Sequence, residues 1–209
     1  VDDRFISQAI AATQQPPDEL SQFVVQGKPI IGYYGAMAKW LDYTLLMNVA
    51  AERPQYQFIL IGPDYDGSIY PSRVVEAGNI LWLGPKPYPA LPSYLKFFDA
   101  AIIPFKLNKV THATSPLKLF EYLSAGKPCV TTAMHECTRY PGILIAHSKD
   151  EFVQRIDEAL QLRNDPAYLA EIERVAQENT WDSRAALIWE ALGQQGERSK
   201  PDVSRSHNR

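Results

Sequence analysis

The sequence predicts a doubly wound α/β domain, a parallel sheet of about six strands covered by helices on both faces. Three observations predict it. Short apolar runs alternate with helix-length amphipathic segments along the whole chain. Most of the apolar runs, such as Phe58-Ile59-Leu60-Ile61, are continuous, which is the pattern of a strand buried on both faces. Three of the first four end in glycine, at Gly35, Gly62 and Gly84, where a chain leaving a strand can adopt a positive φ and let a ligand approach.

In chain order, residues 6–27, which contain Gln14-Gln15-Pro16-Pro17, read as an irregular lead-in. Residues 29–35 form the first strand, and Asp42, ahead of Leu45, Leu46 and Val49, caps the first helix. Strands at 56–62, 79–84 and 99–104 follow. A polar loop over residues 106–114 then leads into a helix opening at Ser115-Pro116. Ser115 is the expected N-cap and Pro116 fits the first turn. Leu117, Phe120 and Leu123 form the expected buried stripe before Gly126 stops the helix. Residues 127–132 and 142–146 complete the sheet. Ser148 and Glu151 form a capping box ahead of Phe152, Val153, Ile156 and Leu160, and Asp165-Pro166 opens another helix. The last helix starts at Thr180-Trp181, carries Leu187, Ile188, Trp189 and Leu192, and is expected to stop at Gly193. Residues 193–209 are polar and aperiodic, as expected of a disordered tail.

A length of 209 residues accommodates one domain, or half of a two-domain enzyme. With 45% apolar and 22% charged residues the chain is neither largely disordered nor collagenous. A net charge of -3 gives no overall positive field to hold nucleic acid or an anionic membrane. Cys129 and Cys137 are too few and wrongly spaced for a disulfide framework or a CxxC site, which fits a reducing, cytoplasmic setting. No run approaches the roughly 20 apolar residues of a membrane span. The start, Val1-Asp2-Asp3-Arg4, lacks the layout of a signal peptide and has no Met, which suggests a piece of something longer.

In an open parallel sheet, ligands bind beyond the carboxyl ends of the strands. The most informative segment there is the helix after residue 114. Its N-terminus points toward that edge, and Lys118 sits in its first turn, where a cation opposes the helix dipole. A bound anion would correct this. Free backbone amides, the Thr114 and Ser115 hydroxyls and the Lys118 ammonium together make a consistent phosphate site. Glu121, one turn on, could accept from a ribose diol. The alternative at this point is a plain i,i+3 Lys118–Glu121 ion pair on a solvated helix. His112, His135, His147 and His207 show no zinc spacing, so no metal site is expected. Gly32-Tyr33-Tyr34-Gly35 lacks the dinucleotide spacing, which argues against an NAD enzyme. Tyr88 could stack on a base, and Lys39 and Trp40 could reach the site from the first strand.

Several stretches then form a recognisable series. They are Gly32-Tyr33-Tyr34-Gly35-Ala36, Lys39-Trp40-Leu41-Asp42, Leu60-Ile61-Gly62-Pro63 and Pro87-Tyr88-Pro89-Ala90-Leu91-Pro92, and above all the run from Ser115-Pro116-Leu117-Lys118-Leu119-Phe120-Glu121 through Tyr122-Leu123-Ser124-Ala125-Gly126-Lys127-Pro128. In their order along residues 28–192 they resemble the C-terminal half of group 1 (family 4) glycosyltransferases. The resemblance implies the GT-B architecture, two Rossmann-like domains with the donor in the cleft. This chain would be the donor-binding half, with residues 1–27 as an inter-domain lead-in.

By that resemblance Glu121, the second Glu of the family's paired-Glu motif, binds the ribose hydroxyls. The amides around Ser115, Pro116 and Leu117, with Thr114 and Lys118, hold the diphosphate. Gly35 and Ala36 line the donor, Gly84, Lys86 and Tyr88 lie where the base is held, and Lys39 lies where basic residues often meet the phosphates. Lys118 and Lys39 are the implied catalytic groups. The first Glu of the motif falls at Ala113, so its usual sugar contact has no counterpart there. The implied donor is a UDP- or GDP-sugar, used without metal or cofactor. A hexose would be transferred with retention to a glycan or lipid-linked acceptor held with the other half. A non-catalytic nucleotide-binding module and a GT-B sugar-nucleotide epimerase are the competing readings. A lone half should also leave the apolar side chains of the last helix, Trp181, Trp189 and Leu192, without a partner.

Overall fold

The structure, a computed structural model, describes residues 5, 7 and 15–198, excepting the side chains of 187 and 191–198. Expectations for the other lead-in residues and for 199–209 lie outside the described residues. Six parallel strands form one sheet: β1 (Ile30–Tyr34), β2 (Gln57–Ile61), β3 (Ile80–Trp82), β4 (Ala100–Ile103), β5 (Cys129–Thr132) and β6 (Leu144–Ala146). Their order is β3-β2-β1-β4-β5-β6, so the chain works outward from β1 in one direction, returns, and works outward in the other from β4. This is a Rossmann-like sheet with its switch point between β1 and β4. Every residue of β1, β2 and β4 is buried, as their continuous apolar sequences require.

Helix α1 (Asp18–Val25) precedes the sheet, and α2 (Tyr43–Glu52) links β1 to β2. Between β3 and β5 lie α3 (Leu91–Leu95), α4 (Lys109–His112) and α5 (Leu117–Ser124). Helices α6 (Lys149–Leu162), α7 (Pro166–Glu178) and α8 (Trp181–Arg198) follow β6. The β1-to-β2 and β4-to-β5 crossovers run in opposite directions, so right-handed connections put α2 and α5 on opposite faces. Helix α6 packs beside α2, and α7 beside α5.

The expected caps form where a short polar side chain reaches its own helix. Asp42 accepts from the Leu45 amide, Ser148 from Glu151 and Asp165 from Tyr168. Glu151 accepts not from the Ser148 amide but from that of His147, one residue ahead of the N-cap, at 2.8 Å.

Five local expectations are corrected. The lead-in is not irregular throughout, since after Pro16-Pro17 the acidic pair Asp18 and Glu19 opens α1, which buries Leu20 completely. The loop at 106–114 contains α4, capped reciprocally by Asn108 and Thr111. Helix α5 begins one residue late, with Pro116 in extended geometry at the N-cap, so Ser115 caps nothing. Leu117 is exposed, and the buried stripe is Leu119, Phe120, Tyr122 and Leu123. Finally, α8 continues through Gly193 to Arg198. A glycine inside a helix costs only about 1 kcal/mol, and no proline follows before Pro201. Trp181, Ile188 and Trp189 on α8 are exposed.

At the amino edge of the sheet, α1, α3, α5 and α6 end around one cavity of about 360 Å³ lined by Lys28, Lys96, Lys127 and Arg163. Each cation follows the end of one of these helices, where orphan carbonyls collect negative potential. Lys127 donates to the Lys96 carbonyl at 2.8 Å and Arg163 to that of Leu160 at 2.8 Å. Gly126, at φ +67°, closes α5 through the Gly126 amide on Leu123 and the Lys127 amide on Tyr122.

Burial pushes the Lys127 ammonium down to about 8 from its ordinary 10.5. Between those values the unfolded chain binds more protons than the folded one, so this residue's contribution to stability rises with pH across that window. In urea unfolding below pH 8 and again near pH 10.5, wild type should therefore gain on Lys127→Met as pH rises. A constant difference would show that Lys127 is not held in a desolvating site.

Candidate active site

The carboxyl ends of β1 and β4 and the N-terminus of α5 enclose a cavity of about 490 Å³. This is the size of a small-ligand site, at the place where an open α/β sheet binds ligands. It is lined by Gly35, Ala36, Lys86, Tyr88, Thr114, Ser115, Pro116, Leu117, Lys118 and Glu121, ten of the residues singled out from the sequence. Lys39 and Gly84 are not among its lining residues. The Lys39 side chain is exposed, and its amide donates to Asp66 at 3.0 Å. The Gly84 carbonyl serves the sheet edge, accepting from the Gly62 amide at 2.8 Å.

Glycine is required at the base of the cavity. Gly35 has φ +141°, and a Cβ there would lie 2.9 Å from the Lys118 side chain. Gly62 has φ +146°, and a Cβ there would lie 1.8 Å from the Gly35 carbonyl oxygen. Strands β1 and β2 therefore deliver two glycine backbones in contact.

Lys118 is not paired with Glu121. Its ammonium lies 5.5 Å from the ring centroid of Tyr33 and 5.2 Å from that of Phe105, at cation–π distance from both. No acid among the described residues forms an ion pair with it. Burial pushes its pKa below the ordinary lysine value, with Glu121 opposing part of the shift. No side chain caps the α5 terminus beside it, so first-turn amides remain available there.

Glu121 is 9% exposed and engages two tyrosines. Tyr34 donates to Oε2 at 2.8 Å and Tyr88 to Oε1 at 2.6 Å. Tyr34 is itself fixed, its amide donating to the Tyr122 hydroxyl at 3.0 Å and its ring packed edge-on at 4.8 Å against that of Tyr122. Lys86 lines the cavity but pairs with Glu19 of α1 at 2.6 Å. Thr114 turns its hydroxyl back onto the Val110 carbonyl at 2.8 Å. His112 is exposed and does not line the cavity. Among the described residues no group of three or more His, Cys, Asp and Glu could hold a metal, and no helix is long and apolar enough to cross a membrane.

The roles of Tyr34, Tyr33 and Phe105 escape sequence reasoning. The signal that could have found them is position, because all three stand at or just beyond the carboxyl ends of the two strands flanking the switch point.

Fold and site together define a Rossmann-like α/β domain with a cationic, tyrosine-walled pocket at its switch point. Residues 28–162 match the family described as Glycosyl transferases group 1, and the chain belongs to that family. Its fold is that of GT-B glycosyltransferase domains. It is 27% identical over 192 residues to a Bacillus subtilis (strain 168) protein named as a teichuronic acid biosynthesis glycosyltransferase, TuaH, covering 88% of this chain and 47% of that protein. Among solved structures, the trehalose-6-phosphate synthase OtsA superposes with a TM-score of 0.68 at 16% identity, over 93% of this chain and 50% of that one. Anabaena Alr3699/HepE, solved in complex with UDP and glucose, gives 0.61 at 17% identity, over 92% and 55%. The chain thus spans about half the length of the relatives it matches.

Proposed function

We propose that this chain is the donor-binding domain of a glycosyltransferase. It takes a UDP- or GDP-linked sugar in the pocket between Tyr34, Lys118 and Glu121. Together with a second domain it transfers the hexose, with retention, to a glycan or lipid-linked acceptor on the cytoplasmic side. The observation that carries this reading is Lys118, a largely buried cation without an acid partner beside an uncapped helix N-terminus at a cavity of about 490 Å³. A diphosphate supplies the missing charge, and its oxygens accept from the first-turn amides. The HepE complex with UDP and glucose, and an E. coli trehalose-6-phosphate structure bound with UDP-2-fluoro glucose, support a nucleotide-sugar ligand for this fold.

As the bond to the sugar breaks, negative charge grows on the leaving diphosphate. Lys118 and the helix terminus then stabilise that charge electrostatically, with no metal required. Glu121 accepts from the ribose, while Lys39, exposed here, can reach the phosphates only from outside the cavity. An epimerase would want a His in the site, and His112 does not line the cavity, which favours the transferase.

The test is a calorimetric titration of UDP, GDP and ADP into the chain and into Glu121→Ala. One nucleotide should bind, and the variant should lose about 1–3 kcal/mol, as for removal of a charged hydrogen-bonding partner. Absence of binding by all three would overturn the reading.

A further inference from the structure

The two tyrosines on Glu121 are not equivalent. Tyr34 belongs to β1, is 4% exposed, and is locked by its amide and ring against Tyr122. Tyr88 is 48% exposed and stands on a short 3-10 turn between Pro87 and Pro89, its ring 5.3 Å from that of Phe5. The carboxylate itself is nearly closed to solvent, and the tyrosine on its open side is Tyr88. A ligand hydroxyl approaching Oε1 meets the Tyr88 hydroxyl already there, at 2.6 Å. Of the two phenol hydroxyls, that of Tyr88 can turn away from Glu121 without moving β1, its ring remaining on Phe5.

We propose that the Tyr88 hydroxyl holds the place of an entering vicinal diol on Glu121, and that donor binding displaces it. This rests on the donor-binding reading above. The exchange is one of like for like, with a phenol donor leaving a carboxylate as alcohol donors arrive, so the nearly buried Glu121 carboxylate keeps its donors throughout. The released ring stays at the cavity wall, where it can pack on the base. Tyr34 keeps Oε2 occupied throughout and holds the carboxylate in its plane. The bond between Tyr88 and Glu121 thus lowers affinity for the diol by the amount needed to break it.

The experiment compares wild type with Tyr88→Phe, which keeps the ring and removes the competing hydroxyl. UDP and GDP, and 2′,3′-dideoxy forms of both that lack the diol, are titrated into each by calorimetry. The diol-bearing nucleotide should bind Tyr88→Phe about five-fold more tightly than wild type, the equivalent of one net hydrogen bond. The dideoxy form should bind both proteins equally. A purely structural hydroxyl could not tighten binding on removal. Equal or weaker binding of the diol nucleotide by the variant overturns the proposal and leaves the donor-binding reading standing. Equal tightening of both ligands overturns it too, because the effect would then not pass through the diol. Failure of every nucleotide to bind either protein removes the donor-binding reading and this proposal with it.

Discussion

Replacing Lys118 with methionine is expected to make the fold more stable and its pocket useless. The ammonium is held among Tyr33, Phe105 and Gly35 with no acid partner, and burial already pushes its pKa down. Methionine fills a similar volume without the desolvation penalty, so urea unfolding should show a gain on the order of 1 kcal/mol. Nucleoside diphosphate binding should weaken roughly 10- to 100-fold, the loss expected for a charged hydrogen-bond donor. Under the proposed transferase reading, turnover should fall by about 10² to 10³, as when one stabilising donor is removed from a developing anion. Opposite signs for stability and binding are the discriminating result. A variant that loses both would mark Lys118 as a structural cation.

Gly62→Ala should be the most damaging single-methyl change at the site. At φ +146° a new Cβ would fall 1.8 Å from the Gly35 carbonyl oxygen, and neither partner is a movable side chain. The residue is also held by its amide on the Gly84 carbonyl and by Trp82 donating to its own carbonyl at 2.9 Å. Strain and backbone displacement together should cost about 3 kcal/mol or more, and nucleotide affinity should drop because Gly35 lines the cavity. Gly84→Ala provides the control. Its φ is +66°, but a Cβ there meets nothing within 4 Å, so only the left-handed penalty of about 1–2 kcal/mol applies. If urea unfolding gave the two variants equal losses, close approach of the two glycine backbones would not be what fixes this corner.

Strands β1, β2 and β4 were legible because burial on both faces leaves an unbroken apolar run. The caps at Asp42, Ser148 and Asp165 were legible because each acts within its own turn. Local reasoning failed at Ser115, where the following proline holds the chain extended and delays the helix. It also failed for α1, which follows directly on Gln14-Gln15-Pro16-Pro17, and for α4, which is a single turn of four residues. Most of the pocket lining could be named in advance, because motif and strand end coincide there. Its electrostatics could not. Tyr34 and Glu121 are 87 residues apart in the chain, and the pairing of Lys86 with Glu19 spans 67. Sequence spacing suggested a Lys118–Glu121 pair. In the fold, Glu121 takes the two phenols while Lys118 lies over aromatic rings.

The cations around Lys127 give the domain an electrical asymmetry. At the amino edge, where α1, α3, α5 and α6 end, Lys28, Lys96, Lys127 and Arg163 line one cavity, with Lys127 on the Lys96 carbonyl at the end of α3 and Arg163 on the Leu160 carbonyl at the end of α6. At the carboxyl edge, α5 begins without a capping side chain, and the nearest charge on the helix is another positive one. Helix α5 thus ends in a cationic cavity with its last carbonyls taken by its own following amides, and begins with its terminus open. An anion of two or more charges would complete the circuit. A bound diphosphate should therefore slow amide exchange throughout α5, from the pocket to its far end at Ser124, although it touches only the first turn.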